Sequence, residues 1–104
     1  MRMADEVYEI LKRVPKGRVT TYKAIAEKLG HKAYRAVGQA LRNNPYAPVV
    51  PCHRVVRADG SIGGFMGKTE GGAIEKKIRL LKNEGVNVLR GKVLNFEDKL
   101  YEGL

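Results

Sequence analysis

Pro45, Pro48 and Pro51 fall within seven residues near the middle of a 104-residue chain, and no other feature restricts its fold as strongly. Each proline removes a backbone donor, fixes φ and disfavours helix at the residue before it. The stretch Pro45-Tyr46-Ala47-Pro48-Val49-Val50-Pro51 therefore cannot be helical, and an extended path is expected from Pro45 through Val56. Directly after it come Cys52, His53 and Arg54, held on a stiffened backbone.

Helical patterns flank this centre. Val7, Ile10, Leu11 and Val14 recur at helical spacing over 4–14, with Asp5 and Glu6 in the first turn, where the helix dipole favours acids. Pro15-Lys16-Gly17 supplies a turn. Thr20 or Thr21 can cap a second helix over Tyr22–Leu29, with Ile25, Ala26 and Leu29 inward and Gly30 as its stop. A third helix is expected from about Ala33 to Arg42, closed by Asn43-Asn44-Pro45. Helices two and three, joined by Gly30-His31-Lys32, have the form of a helix-turn-helix. Beyond the prolines, Val55-Val56, Asp59-Gly60 and Ile62 suggest a tight hairpin. Five glycines in 63–72 mark a loop, and a long helix over about 72–84 carries Ile74, Ile78 and Leu81 inward. A small hairpin around Arg90-Gly91 is expected within Val86–Leu94. The expected fold is mostly α with a small β-hairpin region, a winged-helix-like helix-turn-helix DNA-binding domain occupying 1–104 as one unit.

The net charge of +9 is segregated. Between Lys12 and Arg57 stand eleven Lys and Arg and one acid, Glu27, while the rest of the chain has nine basic and ten acidic residues. A basic excess confined to one segment fits a polyanion. The short helices there carry small apolar residues, which suits nucleic acid better than a membrane surface. The apolar runs are too short to span a bilayer, and the start has no secretory pattern. A single cysteine excludes an internal disulfide and a multi-thiolate zinc site. An intracellular, cytoplasmic protein is expected, nucleoid-associated in a prokaryote.

Cys52 and His53 form the sharp chemical pair. A thiol attacks as the thiolate, and the adjoining His53 and Arg54 are expected to lower its pKa. Gly67-Lys68-Thr69 resembles part of a phosphate-binding loop, but Ile62 stands where that motif needs glycine, so nucleotide binding is rejected.

Pro51-Cys52-His53-Arg54-Val55 resembles the active-site signature of the O6-alkylguanine-DNA alkyltransferases, the methylated-DNA–protein-cysteine methyltransferases. Gly17-Arg18-Val19-Thr20-Thr21-Tyr22, Arg35-Ala36-Val37-Gly38 and Asn44-Pro45 stand upstream in the family's order. Gly60, Gly63-Gly64-Phe65, Lys77, Leu80-Leu81 and Glu84-Gly85 follow downstream, so the likeness covers about residues 4–90. It implies a DNA repair protein that flips O6-alkylguanine out of a duplex and transfers the alkyl group irreversibly to Cys52, a methylated-DNA–[protein]-cysteine S-methyltransferase consumed by one turnover.

Residue roles follow from the same resemblance. Cys52 is the acceptor, His53 takes its proton through a water, and Glu84 orients the imidazole. Tyr22 donates to guanine N3, and Asn44 braces the turn before the nucleophile. Arg35 resembles an arginine finger that fills the vacated stack. Ala36 and Gly38 allow close approach of the helix to the minor groove, with Gln39 and Thr21 as further DNA contacts. Val55, Gly64, Phe65 and Met66 are expected to form the substrate pocket, and Arg54 is expected to be structural or DNA-facing.

The glycine loop over 66–72 is longer than the family's usual form, and groups larger than methyl are expected to fit. The family's separate N-terminal domain is not expected here, and no cofactor or metal is expected. The implied partner is double-stranded DNA containing O6-alkylguanine, bound by a monomer. Two rival functions are an alkyltransferase-like sensor that binds the adduct without accepting the alkyl group, and a helix-turn-helix regulator. The sensor's hallmark is a missing cysteine in the signature, and a regulator has no use for Pro-Cys-His-Arg.

Overall fold

The computed structural model describes residues 3–30, 34–47, 49–65, 67–68 and 70–104. Helix α1, Met3–Leu11, has Asp5 and Glu6 in its first turn. It buries Val7, Ile10 and Leu11, with Val14 just beyond. That stripe packs on α3, Tyr34–Arg42, whose Val37, Ala40 and Leu41 face inward. The Tyr8 hydroxyl fastens the pair by donating to the Ala40 carbonyl at 2.8 Å. Helix α2, Tyr22–Lys28, packs against both and contributes Ile25 and Ala26. Thr21 caps it, its Oγ1 accepting from Ala24 N at 3.0 Å. The expected linker residues His31 and Lys32, and the expected helix start at Ala33, lie outside the described residues.

A second, smaller core joins Val19, Val56, Leu81, Val86 and Val93. Helix α4, Gly72–Asn83, supplies Leu81, and Gly85 at φ +88° turns the chain away beyond Glu84. Strands β3, Val88–Leu89, and β4, Lys92–Val93, form the expected hairpin. Its two central residues, Arg90 and Gly91, both have positive φ, as a twisted two-residue hairpin turn requires. Helix α5, Phe96–Lys99, follows, and the terminal segment runs beside Val19, which donates to Lys99 O and accepts from Tyr101 N. None of the described helices is long and apolar enough to cross a membrane. The mostly helical fold with a little sheet is the one expected from sequence.

Local departures concern the centre. Pro48 lies outside the described residues, and the expected extended path is not found on either side of it, where Val50 N bonds Tyr46 O at 3.0 Å. Buried Asn44 causes this: its Oδ1 accepts from Tyr46 N and its Nδ2 donates to Val50 O, both at 2.9 Å. Cys52–Arg54 form one 3-10 turn rather than the expected extended path, closed by Arg54 N on Pro51 O at 2.9 Å.

The expected hairpin from Val55 to Ile62 is also revised. Its turn exists, with Arg57 N on Ser61 O and Gly60 N on Arg57 O. However, β2, Val55–Val56, pairs in parallel with β1, Thr20–Thr21, and Ile62 N bonds instead to Gly91 O. Alternating apolar residues signal a strand but do not name its partner.

Candidate active site

The pocket is built from four parts of the chain. Helix α2 begins with Tyr22, α3 contributes Gly38, Leu41 and Arg42, and the turn after Pro51 presents Cys52. Gly64, Phe65, Gly67 and Lys68 complete the wall of a cavity of about 220 Å³. Cys52 is 5 % exposed. Burial pushes its thiol above the ordinary value of 9.0, while the Asn44 amide and the Lys77 charge oppose that rise. The expected lowering of its pKa by neighbouring cations is therefore not seen, because burial outweighs them. Such a thiol needs a base to become a nucleophile.

His53 provides one. It is almost fully buried, and its Nε2 lies 3.0 Å from Glu84 Oε2. A carboxylate only accepts, so Nε2 carries the proton and Nδ1 keeps its lone pair. Nδ1 is buried and bonds no protein group among the described residues. Burial holds His53 below its ordinary 6.5, with the Glu84 contact working in the opposite direction, so the ring is neutral near pH 7. Glu84 is fixed in turn by Arg54, whose Nε and Nη2 bond its two oxygens at 2.9 and 2.7 Å and whose Nη1 donates to Val14 O. Burial raises the Glu84 pKa, but the hydrogen bonds from Arg54 and His53 outweigh it and hold the carboxyl ionised.

Two charged residues have more defined places than sequence reasoning gave them. Arg54 was expected to be structural or DNA-facing and proves to be the clamp on Glu84. Lys77 is wholly buried, and its Nζ donates to the carbonyls of Val55, Ile62 and Gly64. It thereby ties the pocket wall to the segment that follows the nucleophile. Burial draws its pKa down from 10.5 to about 7. Its inward place was detectable, since residue 77 shares the helical stripe of Ile74, Ile78 and Leu81. Ile74 and Ile78 are only half-buried, because the lysine takes the centre of that face.

The other candidates are distributed as follows. Tyr22 lies against the pocket, and burial raises its pKa, so its hydroxyl stays a donor. Gly38 lines the cavity, and a Cβ there would meet nothing within 4 Å, so folding alone does not demand glycine. Arg35 and Gln39 are exposed on α3, and Ala36 is half-buried. Thr21 is buried, with its hydroxyl engaged in the cap. Val55 is fully buried away from the cavity, its N–H bonded to Cys52 O and its carbonyl to Lys77. Gly64 and Phe65 line the pocket, and Met66 lies outside the described residues.

Comparison with known proteins places this geometry. A family model described as "6-O-methylguanine DNA methyltransferase, DNA binding domain" matches residues 2–86. The methylated-DNA–protein-cysteine methyltransferase of Methanothermobacter thermautotrophicus is 39% identical over 82 residues, covering 79% of this chain and 43% of that protein. A Thermus thermophilus DNA base-flipping protein is 47% identical over 79 residues, 76% of this chain and 50% of the relative. The chain thus spans half the length or less of these curated relatives.

Among solved structures, S. pombe Atl1 in complex with damaged DNA containing O6-carboxymethylguanine superposes with a TM-score of 0.81 at 29% identity, over 97% of this chain and 98% of that one. The O6-methylguanine-DNA methyltransferase of Pyrococcus kodakaraensis KOD1 gives 0.70 at 46% identity, over 83% of this chain and 47% of that one.

Proposed function

Because the chain belongs to the O6-methylguanine DNA methyltransferase family through its DNA-binding domain, we propose that it repairs O6-alkylguanine in duplex DNA by transferring the alkyl group to its own Cys52. The observation that carries this reading is the buried His53, held by Glu84 through Nε2, with Nδ1 making no hydrogen bond among the described residues and the ring next in the chain to a thiol that needs a base.

The chemistry follows from that arrangement. His53 Nδ1 takes the thiol proton through a water, and the resulting imidazolium is balanced by Glu84. The sulfur attacks the alkyl carbon in line, the C–O6 bond breaks, and its electron pair stays on the guanine. The Tyr22 hydroxyl donates to purine N3 and stabilises the developing charge. The product is a thioether on Cys52, which thiol exchange cannot reverse.

The base must first leave the helix. Arg35 enters the vacated stack, while Ala36 and Gly38 let α3 lie close in the minor groove and Gln39 adds a polar contact. Thr21 acts there through the cap that sets the start of α2. Gly64, Phe65 and Met66 enclose the alkyl group, and Val55 holds the wall through Lys77. These 104 residues act as one monomeric catalytic and DNA-binding unit with no cofactor or metal.

A second reading, adduct binding without transfer, is favoured by the likeness to Atl1 along nearly the whole chain. One measurement separates the two. Protein is incubated with a duplex carrying O6-methylguanine and its intact mass is recorded. A stoichiometric gain of one methyl, abolished in Cys52→Ala, is expected. Tight adduct binding without mass gain would replace the enzyme reading by the sensor.

A further inference from the structure

Residues 87–104 follow the stretch matched by the family model and carry none of the side chains assigned to the reaction. They nevertheless hold the active-site segments at two places, and both places bear on Tyr22.

The first is the edge of β1. Val19 stands three residues before Tyr22 and turns both backbone groups toward the terminal segment. Its N–H donates to Lys99 O at 2.9 Å, and its carbonyl accepts from Tyr101 N at 2.8 Å. Val19 and Leu100 thereby form a parallel bridge. The next two residues, Thr20 and Thr21, pair with β2, so the run into Tyr22 is held by the terminal segment and by β2 in succession. The terminal segment is itself tied down. Tyr101 and Leu104 pack on the main core, and Arg13 Nη1 donates to Leu104 O at 3.3 Å.

The second place is the turn that leads to the pocket wall. Ile62 N donates to Gly91 O at 2.8 Å and Val93 N to Gly60 O at 2.9 Å, so the β3–β4 hairpin grips residues 60–62 through the backbone. The Phe96 ring lies on Gly60, where a Cβ would come within 3.0 Å of its Cγ. Gly63 follows directly and abuts the phenol: a Cβ there would lie 3.4 Å from the Tyr22 hydroxyl and 3.5 Å from Tyr22 Cε2. The helix start that carries Tyr22 and the wall that flanks its ring are therefore both secured by residues 87–104.

We propose that residues 87–104 are a positioning clamp for Tyr22, holding its hydroxyl where the departing purine needs a hydrogen-bond donor. The proposal rests on the alkyl-transfer reading and adds to it the segment on which the donor's placement depends. A hydrogen bond weakens steeply as its distance and angle depart from the optimum. A small displacement of the phenol should therefore be felt in the rate of transfer.

Tyr101→Pro removes the N–H that Val19 O accepts. Leu100, at φ −67° and ψ 123°, already has the conformation that a following proline requires. Tyr101→Ala loses the same ring and keeps the N–H, so the two variants of the full chain isolate one backbone bond. Single-turnover transfer from O6-methylguanine in a duplex is followed by intact mass at saturating protein, and urea unfolding establishes that each variant is folded. Tyr101→Pro is expected to transfer about tenfold more slowly than Tyr101→Ala. In a Tyr22→Phe background the ratio should fall to about one, because no hydroxyl is left to place. A general loosening of the fold would slow transfer alike in both backgrounds. Equal rates for Tyr101→Pro and Tyr101→Ala would overturn the proposal, as would a tenfold ratio that persists without the hydroxyl. Should Tyr101→Pro fail to fold, Phe96→Ala is compared with the parent and judged by the same dependence on Tyr22. If the parent transfers nothing, the alkyl-transfer reading falls. The clamp is then read from the affinity of the same variants for the O6-methylguanine duplex, where a Tyr22-dependent loss supports it and no loss overturns it.

Discussion

At the scale of single residues, burial moves the two members of the proposed proton relay in opposite directions, Cys52 up and His53 down. His53 is held below 6.5 by burial, so transfer should be flat around neutral pH and fall only on a limb below 6.5, where the ring becomes charged and ceases to be a base. Glu84→Gln removes an interaction that raises the His53 pKa. That limb should therefore move further down while the plateau rate drops, because the base is weaker. His53→Gln should cost about 10²–10⁴-fold. It should also leave a rate that climbs with pH toward the Cys52 ionisation above 9.0. Pseudo-first-order transfer rates from pH 5 to 10 check both, and an unshifted acid limb in Glu84→Gln would remove Glu84 from the relay. Cys52 and His53 were legible because reactive residue types are rare in this chain. For Lys77 the apolar stripe of α4 marked the inward place but not the partners, the three backbone carbonyls from distant segments that make its burial tolerable.

At the scale of elements, helices were the readable part. Their apolar stripes, caps and glycine stops are local, and α1 to α4 form where these signals predict. The turns around the nucleophile were not readable, because a side chain winds them. Asn44 satisfies Tyr46 N and Val50 O on a buried segment, and proline content alone says only that no helix forms there. Asn44→Ala should destabilise the fold by about 1–3 kcal/mol through the partners left unpaired. Transfer should slow further as Cys52 loses its fixed position. Urea unfolding midpoints alongside transfer rates test this, and wild-type values for both would show that the prolines suffice.

At the scale of the molecule, the segregated charge was the clearest statement in the sequence. It begins at Lys12, before α2, and continues through α2, α3 and the segment that carries Cys52, and the proposed DNA contacts fall within that stretch. Arg35 is the residue assigned to the displaced base, so Arg35→Ala should slow transfer from paired DNA by about tenfold or more, with a smaller deficit on single strands that need no flipping. Equal deficits on both would make it a phosphate contact. What the sequence could not disclose was the parallel pairing of Thr20–Thr21 with Val55–Val56, across a long stretch of chain. That ladder of two residues a side has a metric consequence. One strand runs directly into Tyr22 and the other leaves directly from the Cys52–Arg54 turn. A slip of one residue would carry the phenol about 3.3 Å along the strand direction relative to the sulfur. The spacing between Tyr22 and Cys52 is thus gauged by the backbone pairing of four residues.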